Sequence, residues 1–330
     1  MTRLSSALAA IGFLVLSPHS ADAQAQSGRV IRLVVPNPAG GPGDLLGRLL
    51  ADQIGRARGP AVVVENRPGA GSDIGTEAVS RAAPDGNTLL LANNNLVITK
   101  HLRPAAVAFD PMTSFEPMCL VATVPLVVVV NGASPYGSLT DLLTAAKANP
   151  GTLTVGAFGP GSSPHIAEES LKRAAKADWT YVPFPGDAPA VTALLGGHVS
   201  ALVATYPGVI DQLSSGRLRA LATAGRERIA ALPNLPAIAE YGSGSSPQSE
   251  YKDFDVFGWF GLLAPARTPR DQIDYLTGVF TSALQTPELS AKLLAQGIYP
   301  EVACGAAFVQ RLKTDYEYYG RVIRDARIAG

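Results

Sequence analysis

VIRLVVPNPAGGPGDLLGRLLADQIG, residues 30–55, is the stretch from which the fold is read. Val30 to Val35 is apolar and rich in β-branched residues, which suits a pleated, buried strand. Asn37-Pro38-Ala39-Gly40-Gly41-Pro42-Gly43 then breaks both periodicities, because Gly and Pro punctuate strands and helices alike. Leu45, Leu46, Leu49, Leu50 and Ile54 follow at helical spacing and share one face. The stretch is therefore a strand, a glycine-rich turn and an amphipathic helix.

The same unit recurs about 120 residues later. Residues 152–157 read as a strand, 158–163 as a turn and 164–177 as a helix with Pro164 near its first position. Further strands are predicted at 61–65, 88–92, 120–124, 127–130, 180–182, 201–205 and 219–223. Residues 127–130 are four valines in a row, as in a strand covered on both faces. Helices are predicted at 139–148, 188–196, 269–285, 287–296 and 306–326, and a small-residue polar loop at 243–248. Residues 257–265, which include Trp259 and Phe260, form an apolar strand-like run suited to core packing or a hinge. Alternating strands and helices predict an α/β fold of parallel sheets faced by helices.

The N-terminus reads as an export signal. Arg3 is followed by an apolar stretch from Ala7 to Leu16, then by Ala21-Asp22-Ala23, which places cleavage after Ala23. The apolar stretch is too short to span a membrane, which takes about 20 residues. With residues 1–23 removed, the chain has length for two lobes, each able to bury its own core. The 27 basic residues balance the 27 acidic ones, and no basic stripe marks a nucleic-acid partner. Cys119 and Cys304 are the two cysteines. The expectation is two buried thiols; one disulfide is the other reading in an oxidising compartment.

The glycine-rich turn carries the first candidate site. Small residues let a ligand approach the backbone, and the free N–H groups at a helix start favour an anion. The stretch from Asn37 to Asp44 is the candidate, although it also reads as a tight turn with Asp44 as a simple N-cap. No Gly-Lys-Ser/Thr ends the turn, so it is not a P-loop. Gly159-Pro160-Gly161-Ser162-Ser163-Pro164-His165 forms the second such turn, where the hydroxyls of Ser162 and Ser163 and the backbone offer donors, or Ser163 simply caps the helix. Asn93-Asn94-Asn95 follows a buried strand at its carboxyl end, where open α/β sheets bind ligands, or it caps the next helix. Gly75, in the glycine-rich run from Gly69, reads as close helix packing.

Ser163 and His165 also invite a nucleophile–base reading, and a hydrolase acting through Ser163 is the competing class. Three points oppose it: there is no G-x-S-x-G elbow, residues two apart at a helix start do not face each other, and no third carboxylate is suggested. The other histidines are scattered, no spacing resembles a zinc motif, and nothing calls for a cofactor.

Several motifs, in order, resemble the periplasmic binding proteins of tripartite tricarboxylate transporters, the Bordetella uptake gene family. They are Pro38-Ala39-Gly40-Gly41-Pro42-Gly43-Asp44, residues 64–71 (VENRPGAG), Ala83-Pro84-Asp85-Gly86, Leu120-Val121-Ala122, residues 194–199 (LLGGHV), residues 216–222 (GRLRALA) and residues 259–265 (WFGLLAP). The resemblance covers nearly the whole chain after the signal. It implies a two-lobed type II periplasmic binding protein fold with the ligand in the interlobe cleft, and a hinge closure. It implies a small organic carboxylate as ligand, clamped by Ala39, Gly40, Gly41 and Asp44 of the first turn and Gly161, Ser162, Ser163 and His165 of the second, membrane transporter subunits as partners, and no catalysis. A subunit presenting ligand to a sensor would use the same clamshell. The lobes are expected at 28–126 plus 258–330 and at 127–257, in a periplasmic monomer.

The chain departs from the family pattern at three places. Gly43 stands where relatives often have Thr or Ser, Phe184-Pro185-Gly186-Asp187 where Tyr-Lys-Gly-Ser is common, and Ala204-Thr205 where Asp-Asn is usual. Asp187 and Thr205 complete the candidate ligand residues. Losing a Lys at 185 while gaining Asp187 argues against a highly charged acid such as citrate. Losing a carboxylate at 204 argues against an ammonium-bearing ligand. Pro125, Phe158, Phe184 and Tyr206 leave room for a less polar acid.

Overall fold

The computed structural model describes residues 29–242, 251, 252 and 254–328. The expected signal at 1–23 and the polar loop at 243–248 lie outside these residues.

Two sheets organise the chain. The first comprises β1 (Val30–Val35), β2 (Ala61–Asn66), β3 (Thr88–Asn93), β4 (Phe115–Val124), β10 (Gly258–Pro265) and β11 (Tyr299–Cys304), in the order β11-β4-β10-β3-β1-β2. The second comprises β5 (Leu126–Asn131), β6 (Thr154–Phe158), β7 (Thr180–Phe184), β8 (Ala201–Thr205) and β9 (Leu218–Thr223), in the order β7-β6-β8-β5-β9. The helices associated with the first sheet are α1 (Pro42–Arg56), α2 (Asp73–Ser80), α3 (Asn95–Leu102), α8 (Arg270–Leu284) and α9 (Pro287–Ala295). Those associated with the second are α4 (Leu139–Ala148), α5 (Ser163–Ala175), α6 (Asp187–Leu195) and α7 (Tyr206–Ser214), and α10 (Ala306–Ala326) closes the chain.

The α/β expectation holds, but the all-parallel expectation does not. β1 runs parallel to β2 and β3, and β6 to β7 and β8. β10 is antiparallel to both β3 and β4, β11 to β4, and β5 to β8 and β9. The reason is the way the chain changes sheets. Pro125 alone separates β4 from β5, so the chain passes straight from one sheet into the other. It returns beside that crossing, where Gly258 of β10 pairs with Val124 of β4. A strand entering from the opposite sheet runs against its neighbours.

Packing follows the periodicity of the sequence. Leu46, Leu50 and Ile54 of α1 are buried against Ile31, Leu33 and Val35 of β1, while Leu45 and Leu49 sit half-buried at the margin. Gly75 packs closely, as its sequence context suggested: a Cβ there would lie 2.7 Å from the Arg67 carbonyl oxygen and 2.9 Å from Pro36 Cβ. One buried cluster is continuous across the crossing. It joins Val34, Leu90 and Leu120 of the first sheet to Val128, Val130 and Ile166 of the second, and takes in Phe308, Leu312 and Tyr319 of α10. α10 packs on both α3 and α5 and so straps the two halves together.

Two elements were not legible. β11 is an edge strand with a mostly half-exposed, mixed sequence and no apolar run. α7 opens on Tyr206-Pro207-Gly208, which reads locally as a turn. Pro207 is tolerated in the first helical turn because no intrahelical donor is lost there, and Thr205 Oγ1 caps the helix by accepting from the Gly208 N–H at 3.3 Å.

The thiol expectation is corrected. Cys304 of β11 lies opposite Cys119 of β4, with 4.0 Å between their Cα atoms, and the pair is a disulfide. A register pairing that no local signal announced brings the two cysteines together.

Candidate functional site

A cavity of about 600 Å³ lies between the two sheets, where the carboxyl ends of several strands meet helix starts. Ala39, Gly40, Gly41 and Asn93 line it from one side, and Ser162, Ser163, Asp187 and Thr205 from the other. The structure thus brings together eight of the eleven candidates. Asp44, Gly161 and His165 do not line the cavity; they hold its walls.

Asp44 holds the first turn. The Gly40 N–H donates to Asp44 Oδ2 at 2.9 Å, and Gly40 has φ +85°, a conformation glycine adopts without cost. Arg48 Nε donates to the same oxygen at 3.1 Å, one helical turn on. Burial pushes the Asp44 carboxyl up, but hydrogen bonds from Arg48, Gly40 and Asn66 and the Arg48 charge outweigh it and hold it below its ordinary value. Gly43 admits the ring of Phe260, since a Cβ there would lie 2.9 Å from Phe260 Cε1. This is a physical reason for glycine at 43.

His165 holds the second turn. The Gly161 N–H donates to His165 Nδ1 at 3.0 Å, and the His165 N–H donates to Ser162 Oγ at 3.3 Å. The ring stacks on Tyr181 with centroids 4.1 Å apart, and burial lowers its pKa to about 4, so it is neutral at physiological pH. With Nδ1 accepting, the proton sits on Nε2, which lies 3.9 Å from Glu169 Oε1. Neither ring nitrogen is then free to act as a base for Ser163. The same tautomer argues against a metal at His165, Glu168 and Glu169, whose side-chain oxygens and nitrogen lie within 4.8 Å of one another. A ring nitrogen carrying a proton offers no lone pair to an ion.

The asparagine run both lines the cavity and holds the fold. Asn93 Oδ1 accepts from the Asn95 N–H at 2.9 Å, and Asn93 Nδ2 donates to Asn37 Oδ1 at 2.9 Å. Asn94 is buried: Nδ2 donates to the Phe257 carbonyl at 3.0 Å and to Tyr319 Oη at 2.8 Å, and Oδ1 accepts from the Trp259 N–H at 2.7 Å. One amide therefore ties α3, the returning crossing and α10 together.

Sequence reasoning missed much of the apolar wall. Leu45, Val124, Leu126, Phe260 and Ile298 line the cavity, as do Pro185, Pro207 and Gly208. Phe158 lines it as expected, whereas Phe184, Tyr206 and Pro125 are not among its lining residues. Repeated prolines at strand-to-helix junctions were the available signal.

The electrostatics are set by backbone. α1, α3, α5, α6 and α7 all begin at the cavity wall. Each helix start presents N–H groups without an intrahelical partner, some of them capped by side chains, and about half a positive charge. No Lys, Arg or His lies in the lining, and Asp187 is its one ionisable side chain among the described residues. Such a cavity attracts an anion through N–H donors and hydroxyls, and its apolar walls suit a short hydrocarbon body.

A family model described as the tripartite tricarboxylate transporter family receptor matches residues 46–327. The chain is 35% identical to the protein BugT of Bordetella pertussis over 310 residues, which cover 92% of this chain and 91% of BugT. Its structure is similar to that of the periplasmic binding protein BugD, with a TM-score of 0.79 and 31% identity over 91% of this chain and 98% of BugD. It is also similar to Rpa4515 of R. palustris with adipate, with a TM-score of 0.82 and 28% identity over 91% of this chain and 98% of that one.

Proposed function

Because the chain belongs to the tripartite tricarboxylate transporter receptor family and is a solute-binding protein of that kind, we propose that it captures a small organic carboxylate in this cavity and delivers it to membrane transporter subunits. The observation that carries the ligand class is the convergence of five helix starts on a cavity that, among the described residues, no basic side chain lines. A carboxylate accepts several N–H and O–H bonds at once, which matches that wall. The first and second turns hold it from opposite sheets through Gly41, Ser162 and Ser163, with Gly40 shaping the first turn through its bond to Asp44. Micromolar capture requires about −8 kcal/mol, within reach of several charge-assisted hydrogen bonds.

The protein works in the periplasm as a monomer and performs no catalysis. Its lobes are residues 28–126 plus 258–330 and residues 127–257. They close on the ligand about the paired crossings near Pro125 and Phe257, and bound ligand shifts the population toward the closed form. α10, packed on both halves, limits that motion to a swing about the crossings.

The test is thermal unfolding of the purified protein with small acids and with the uncharged amides of the same acids. A ligand at a hundred times its dissociation constant stabilises by about 2.7 kcal/mol. Stabilisation by an acid and not by its full amide is the expected result. If no acid shifts the transition, the carboxylate assignment is wrong.

A further inference from the structure

The cavity already contains one carboxylate, supplied by the protein. Asp187 is the first residue of α6 and lies in the lining. Its Oδ2 accepts from Thr205 Oγ1 at 2.6 Å and its Oδ1 from the Thr205 N–H at 3.2 Å. Thr205 is the N-cap of α7, so the Asp187 charge rests on the start of that helix. The fold makes room for it there. A Cβ on Gly208 would lie 2.2 Å from Asp187 Cγ, so the position must be glycine for the carboxylate to stay where it is. Gly208 shows no positive φ that would otherwise call for glycine.

We infer that Asp187 sets ligand specificity: it occupies the α7 end of the cavity with the protein's own negative charge, and so selects acids carrying a single carboxylate, with an uncharged hydrogen-bond donor at the far end, over dicarboxylates. This rests on the carboxylate reading proposed above. The reasoning is one of charge and donors. A helix start can be neutralised once, and α7 is already neutralised by Asp187. A ligand's first carboxylate takes the starts of α1 and α5, at Gly41 and Ser163, where Arg48 offsets the charge of Asp44 in the first turn of α1. A second carboxylate reaching the other end meets a like charge, and no Lys, Arg or His lines the cavity among the described residues to offset the repulsion. An amide or hydroxyl meets instead an acceptor, because each carboxylate oxygen keeps a lone pair beyond its bond to Thr205. Burial raises the Asp187 carboxyl to about 6 while the Thr205 hydrogen bonds pull it down, so it is ionised at neutral pH.

The experiment compares three probes of one length: adipate, its monoamide adipamate, and hexanoate. Dissociation constants are measured by calorimetry at pH 7.5 for the wild-type protein, Asp187→Asn and Asp187→Ser. Each variant's fold is checked by circular dichroism and thermal unfolding. In the wild type, adipamate is expected to bind about tenfold more tightly than adipate, a like-charge repulsion in a partly solvated site capped at roughly thirtyfold because Asp187, at about 6, can take up a proton at pH 7.5. In both variants that ratio should collapse or invert. Adipate binding the wild type as tightly as adipamate, or a ratio unchanged in a folded variant, overturns the role of Asp187 and leaves the carboxylate reading standing. Failure of all three probes with every variant, together with a negative acid screen, removes the carboxylate reading and this inference with it.

Discussion

The backbone N–H of Gly161 donates to Nδ1 of His165 across 3.0 Å, and this bond shapes the second turn without either residue lining the cavity. The two residues lie four apart, so the ring reaches back from the first turn of α5 to the loop preceding it. It presents Ser162 and Ser163 to the cavity in one arrangement. His165→Ala removes the acceptor, the stack on Tyr181 and a buried ring. It should lower stability by about 2–3 kcal/mol, with an unpaired Gly161 N–H as part of the loss. It should also weaken carboxylate binding by roughly tenfold through the disordered turn. Urea unfolding and calorimetry on one preparation check both.

Two glycines with nearly the same φ separate strain from collision. Gly40 has φ +85° and open space where a Cβ would go, whereas Gly161 has φ +80° and a Cβ there would lie 2.0 Å from Leu102 Cδ1. Gly40→Ala should cost only the left-handed strain, about 1–2 kcal/mol. Gly161→Ala should cost that and the displacement of Leu102, about 2–4 kcal/mol in all. Leu102→Ala in the Gly161→Ala background should recover the collision part alone. Denaturant midpoints of the four proteins decide it; equal losses in the two single variants would mean that α3 yields freely to the second turn.

Glu168 makes stability fall as pH rises. It is fully buried; Trp179 Nε1 donates to Oε1, and Oε2 has no hydrogen-bond partner among the described residues. Burial, reinforced by Glu169, raises its pKa from 4.5 to about 8 against the pull of Trp179 and Lys172. The folded protein therefore keeps a proton that the unfolded chain has released. This contribution is complete below about pH 4.5 and is lost as pH rises through about 8. His165 has the opposite sign: lowered from 6.5 to about 4, its contribution is present above 6.5 and lost as pH falls through 4. Glu168→Gln should thus stabilise the protein by about 2–4 kcal/mol at pH 8 and by little at pH 4.5, at roughly 1.4 kcal/mol per pK unit. The comparison is urea unfolding of both proteins at the two pH values, and a gain that does not depend on pH would contradict it.

The disulfide closes 185 residues of chain, including the whole second sheet. Cross-linking restricts the unfolded chain more for a longer loop, so the Cys119→Ser, Cys304→Ser double variant should lose about 2–5 kcal/mol. Reduction of the wild type should lower its melting temperature to that of the double variant. A wild type unaffected by reductant under unfolding conditions would show that the bond is not formed.

What was legible in the sequence was whatever depends on neighbouring residues. β1 and α1 follow from the β-branched run of Val30 to Val35 and the helical spacing of Leu45 to Ile54, and the two glycine-rich turns stood out because Gly and Pro break both periodicities. Their order with the later motifs carried the family. β11 and α7 were hidden because an edge strand needs no apolar run and because Tyr206-Pro207-Gly208 signals a turn until Thr205 caps it.

The sequence by itself determined the α/β class, the two turns and the kind of ligand they suit, since these rest on local backbone preference and helix-start charge. Only the tertiary structure decided strand direction, the pairing of Cys119 with Cys304, and the division of the candidates into residues that line the cavity and residues that hold its walls. Asp44 and His165 turned out to hold the walls, while Asp187 sits in the cavity on the start of α7. The physical reason is that these outcomes depend on contacts between segments far apart in the chain, set by how two sheets share one crossing at Pro125, and no local pattern encodes that closeness.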